Sequence, residues 1–153
     1  MERLLANLER QCDVYARLEG VLAGQQAALT ARDTEAVEAA NHREVGLLDA
    51  LASVEAERQA LLAEGGHTGM DGLLGTVGDP EVRHRLELLR DGLVARVQRA
   101  TGLARTNRVL AADAAASCAH LLRLLGLEAP AAYGPPARAQ RAAGPSLRLD
   151  VRA

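Results

Sequence analysis

Apolar residues recur along the first thirty positions in alternating steps of three and four: Leu4, Leu8, Tyr15, Leu18, Leu22 and Leu29, with Gln11 and Gln25 set into the same row. A period near 3.6 draws one stripe along an amphipathic helix, predicted over about residues 2–30. Gly20 and Gly24 weaken that helix without breaking its pattern. Thr30, Asp33 and Thr34 then offer side-chain oxygens for a new helix N-terminus, and Glu35 puts an acid in its first turn, where the helix dipole favours one. The chain is therefore expected to fold back into a second helix over 34–64. Its stripe is Val37, Ala40, Glu44, Leu47, Leu51, Val54, Arg58 and Leu61, and it stops at Gly65-Gly66, where glycine can take the left-handed cap.

Six glycines punctuate residues 65–79, with Met70, Leu73, Leu74 and Val77 among them, which reads as a linker with room for one short helical turn. Asp79-Pro80 starts a third helix, because Asp accepts the orphan amide hydrogens and Pro at the first helical position has none to lose. The third stripe is Val82, Leu86, Leu89, Leu93, Val97, Ala100, Leu103, Asn107, Leu110, Ala114, Cys118, Leu121 and Leu125. Nothing stops it before Gly126, so the helix is predicted over 80–126. At ~1.5 Å per residue it reaches about 70 Å, against helices of about 30 residues before it. If those two form an antiparallel hairpin against it, roughly fifteen of its residues find no partner in the chain.

Charge says which end is left over. Residues 81–91 are dense in charge, whereas Val109 to Leu127 holds only Asp113 and Arg123. Leu110, Ala114, Cys118, Leu121 and Leu125 of the stripe are therefore candidate partner-binding residues, a docking face for another amphipathic helix. Small side chains at Ala111, Ala112, Ala115, Ala116, Ser117 and Ala119 would let that helix approach closely. The predicted class is all-α: an antiparallel hairpin packed on a long third helix, an elongated three-helix bundle or coiled coil over 1–127. Residues 128–153, with four of the five prolines, are expected to form a flexible tail. In that tail Tyr133 offers either a partner anchor or a ring folded back on the bundle end, and Leu147, Leu149 and Val151 alternate as a strand would or stay solvated.

Composition sharpens the class. With 153 residues, two tyrosines and no Phe or Trp, the core must be built from Leu and Ala, which favour helix. The formal net charge of −2 conceals twelve acids against six arginines in residues 1–64, then a small excess of arginine to the end. That asymmetry suits pairing between helices and is too weak, without interleaved aromatics, for nucleic acid. Cys12 and Cys118 lie far apart with no CxxC, so both read as small apolar fillers. His42, His67, His84 and His120 have no metal-ligand spacing, and His84 with Glu81 and Glu87 reads as a solvated face. No nucleophile elbow or phosphate loop is present, so neither an enzyme nor a cofactor is expected. MERLLANLER lacks the unbroken apolar run of a signal peptide and no window suits a membrane span, so the expected location is the cytoplasm. Asn107 in the third stripe has two readings: a buried amide that fixes register, or an amide meeting water at the hairpin end.

A leucine-striped hairpin, a Gly-rich break, Thr106-Asn107-Arg108-Val109-Leu110, Leu121-Leu122-x-Leu124-Leu125, Tyr133-Gly134 and a final Leu149-Asp150-Val151-Arg152-Ala153 together resemble the FlgN family of flagellar type III export chaperones. That family often carries two Asn three residues apart; Asn107 matches the second and Ala104 stands at the first. The resemblance implies a cytoplasmic chaperone that binds the C-terminal helical region of hook-associated (hook–filament junction) proteins. It also implies that the chaperone prevents their early assembly and delivers them to the flagellar export gate. Val109, Leu110, Leu121, Leu122, Leu124, Leu125 and Tyr133 are the residues it carries over. A monomer or weak homodimer is expected; the alternative is a homodimeric coiled-coil scaffold with no client.

Overall fold

The computed structural model of the protein describes residues 1–127. All regular structure in them is helical: α1 (Glu2–Ala31), α2 (Thr34–Glu64), α3 (Met70–Thr76) and α4 (Pro80–Leu124). The chain divides into two compact units, Met1–Ala114 and Ala115–Ala153. The first holds the bundle.

Caps set the helix ends. Asp33 accepts the Ala36 amide at 3.0 Å and so starts α2, while Asp79 accepts the Glu81 amide at 2.9 Å at the start of α4. Both α1 and α2 end in paired reverse bonds around one left-handed residue. After α2 that residue is Gly66 (φ 75°): its N–H donates to the Ala63 carbonyl and the His67 N–H to the Leu62 carbonyl, both at 2.9 Å. After α1 the position falls to Arg32 at φ 58°, a conformation in which a Cβ crowds the following carbonyl.

Cross-helix contacts fix the topology. Arg10 pairs with Glu57 at 2.6 Å, Gln11 donates to Glu55 at 3.0 Å and Gln25 donates to Asn41 at 2.6 Å, so α1 and α2 run antiparallel. Glu9 pairs with Arg85 at 2.6 Å, Glu19 with Arg99 at 3.0 Å, and Gln25 accepts from Asn107 at 2.6 Å. Those numbers rise together, so α4 runs parallel to α1. Each ion pair joining these two helices sets an acid of α1 against an arginine of α4.

α1 lies at the centre. It buries Leu4, Leu5, Leu8, Tyr15, Leu18 and Leu22 against Leu47, Leu51 and Leu62 of α2 and Leu86, Leu93 and Ala100 of α4. The glycine-rich connector does more than the single turn expected of it: Met70, Leu73 and Leu74 of α3, with Val77, are buried in the same core. Arg83 donates to the Val77 carbonyl and ties the connector to α4.

Four buried polar side chains accompany the leucines: Asn7, Gln11, Gln25 and Asn107. Gln11 belongs to a cluster in which Arg58 binds Glu55 at 2.5 Å and Gln59 adds a bond at 3.2 Å. Burial works to raise the Glu55 carboxyl, but the Arg58 hydrogen bond and charge, with the Gln11 and Gln59 amides, outweigh it and hold Glu55 below its ordinary 4.5.

Two predictions follow from the caps and this cluster. Replacing Arg32 by Gly relieves the left-handed strain and raises stability by about 1 kcal/mol, a gain of about 2–4 °C in melting temperature measured by circular dichroism. A carboxyl depressed in the folded state contributes stability above its unfolded pKa and loses that contribution as pH falls through its folded one. The stability of Glu55→Gln should therefore fall less steeply than that of the wild type below about pH 4.5 in urea titrations; parallel curves would exclude Glu55 as a source of acid sensitivity.

Candidate functional site

From Ala111 to Ala119 helix α4 is mostly alanine, the residue with the highest helix propensity, and the leucines that follow are little poorer. The helix closes as α2 does. Gly126 takes φ 69°, its N–H donates to the Arg123 carbonyl at 3.1 Å and the Leu127 N–H to the Leu122 carbonyl at 2.9 Å. That glycine cap is why the helix ends at Leu124, two residues before the expected limit.

Burial along α4 changes at Asn107. Leu86, Leu93, Ala100 and Asn107, spaced by sevens, are buried. Ala114, next in that series, is exposed, and Leu121 after it is 56% exposed. Leu124 is 70% exposed and Leu125 72%, with Val109 and Leu127 both at 55%. Leu110 and Leu122 are half-buried and Cys118 is exposed. Leu121 and Leu125 stand one turn apart on one face, and Leu124 lies beside them. A leucine left in water forgoes about 1.5–3 kcal/mol of burial, so this stretch has an unmet preference for apolar contact.

Its electrostatics are nearly neutral. Arg123 donates back to the Ala119 carbonyl at 3.2 Å, and neither Arg123 nor Asp113 forms an ion pair among the described residues. No group of three or more His, Cys, Asp or Glu among those residues is arranged to hold a metal ion, and no helix there is long and apolar enough to cross a membrane. The surface offers apolar area.

Of the residues singled out in the sequence, Val109, Ala114, Cys118, Leu121, Leu124 and Leu125 are solvent-accessible on α4, and Leu110 and Leu122 are partly so. Tyr133 lies outside the described residues. Leu127, just past the cap, is exposed as well and was not among those singled out. The two cysteines differ. Cys12 is half-buried with its Sγ 3.9 Å from the Leu89 carbonyl oxygen, as a core filler would be, and burial pushes its thiol above the ordinary value. Cys118 fills nothing; it stands in solvent.

The FlgN family model, described as "FlgN protein", matches residues 1–141. No curated protein and no solved structure matches the chain.

Cys118 reports on this face without any mutation. In native protein at pH 8 it should alkylate with iodoacetamide at least several times faster than Cys12, as resolved by peptide mass spectrometry. Equal rates would mean that the thiol after Ala114 is not free in solution.

Proposed function

The chain belongs to the FlgN family, whose members are flagellar export chaperones, and on that premise we propose that it binds the C-terminal helical region of hook-associated proteins through the apolar face of α4. The carrying observation is the set of exposed leucines at 121, 124 and 125 on a helix otherwise rich in alanine. An amphipathic client helix would bury those leucines, and the alanines would let its backbone come close. Val109, Leu110, Ala114, Cys118, Leu122 and Tyr133 complete the proposed contact set. Covering the client's own apolar stripe would keep it from assembling early, and the loaded pair would pass to the export gate. Such work belongs in the cytoplasm.

The test is a double substitution. Leu121→Asp with Leu125→Asp should weaken binding of a hook-associated C-terminal peptide by at least a hundredfold, the sum of two leucine burials at about 1.5 kcal/mol or more each, in calorimetric titration. Far-ultraviolet circular dichroism should remain that of the wild type. Undiminished binding would refute the surface. A tight dimer that ignores the peptide would point instead to a scaffold with no client.

A further inference from the structure

Asn107 is the last residue of α4 that hydrogen bonds secure to the hairpin. It is 4% exposed. Its side-chain amide donates to the Leu22 carbonyl at 2.8 Å and to the Gln25 side-chain oxygen at 2.6 Å. Gln25 in turn donates to Asn41 at 2.6 Å and Glu44 at 3.1 Å on α2, so three helices meet in one polar junction. Along α4 after Arg99, which pairs with Glu19, no hydrogen bond or ion pair among the described residues other than those of Asn107 links the helix to the hairpin. Apolar packing there is thin: Ala100 is small, and Leu103 and Ala104 are only half-buried. Nor is the junction optimal for stability, because the Asn107 side-chain oxygen is buried without a partner.

A buried amide that costs stability but has one satisfied geometry selects among packings that leucine would tolerate equally. We propose that Asn107 is a positioning residue that fixes the rotation of α4 about its axis. That rotation also sets the bearing of Val109 and Leu110, which follow on the same helix within the unit that holds the hairpin. The functional part of this inference rests on the reading that the leucine face takes a client helix; the packing part does not.

The experiment is the pair Gln25→Leu with Asn107→Leu, which removes both sides of the bond and leaves Asn41 and Glu44 their access to water. The expected result is a melting temperature no lower than that of the wild type, with amide resonances of residues 101–114 broadened or doubled in nitrogen–proton correlation spectra. The hook-associated peptide should bind severalfold more weakly. A single sharp set of resonances in the double variant would overturn the proposal, as would a marked fall in melting temperature with uniform loss of order, the mark of an ordinary stabilising bond. Asn107→Leu alone, which strands the Gln25 oxygen, should melt below the double variant. Failure of the proposed function would show separately, as unaltered peptide binding by the Leu121→Asp and Leu125→Asp protein whose Asn107 is intact.

Discussion

Everything in the bundle depends on one helix being covered on two sides. α1 carries an unbroken heptad row from Leu4 to Gln25, buried at every step, and both α2 and α4 pack on it. α2 lies antiparallel to it, an arrangement that a two-residue connection at Arg32 and Asp33 enforces. α4 lies parallel, because α2 has already returned the chain to the end where α1 starts, with Arg3 and Glu64 paired at 3.6 Å, and the connector of residues 65–79 leads into α4 from there. Parallel helices set like dipole ends side by side, which is mildly unfavourable. Glu9 with Arg85, and Glu19 with Arg96 and Arg99, place opposite charges across that contact, and such exposed pairs choose a register more than they add stability.

The same arrangement explains why polar groups are buried in a protein short of core volume. A core made of leucine and alanine has few shapes with which to reject alternative registers. Asn7 bonds the Val54 carbonyl and Glu57, Gln11 bonds Glu55, and Gln25 bonds Asn41, Glu44 and Asn107. Each amide has directional partners on a particular turn of a neighbour. Residual unpaired oxygens on Asn7, Gln11 and Asn107 are the energetic cost of that selectivity.

Period and punctuation made most of the fold legible in the sequence. The stripe of α1 from Leu4 to Gln25 and every seventh residue of the α4 stripe from Leu86 to Asn107 are buried, and the Asp33 and Asp79 starts act as caps, because local spacing and side-chain chemistry determine both. The connector was harder to read. Its glycines suggested slack, but Met70, Leu73, Leu74 and Val77 are held by contacts with distant residues, which no local pattern announces. The two readings of Asn107 likewise could not be separated by spacing, since both occupy the same heptad position; only burial against Gln25 decides for the interior. Cys118 shows the converse limit: the absence of a CxxC partner suggested a filler, and lack of a covering helix leaves it in solvent.

On the proposed reading, an uncovered apolar helix must still be a helix when its partner arrives, and the composition of α4 explains how. Forming the first turn of a helix is the costly step, while adding residues to an existing one is nearly free for alanine and leucine. α4 meets its nucleation cost where Leu86, Leu93 and Ala100 pack in the core, so Ala111 to Leu124 need only propagate, with Gly126 closing the end. The exposed leucines are thus presented on a formed surface, without the ordering cost that a coil would add to binding. Charged helix formers would propagate as well and be more soluble, but they would leave nothing apolar to bury. The alanines between Leu110 and Leu121 reconcile the two demands, extending the helix by propensity and, on the proposed reading, keeping room for another backbone.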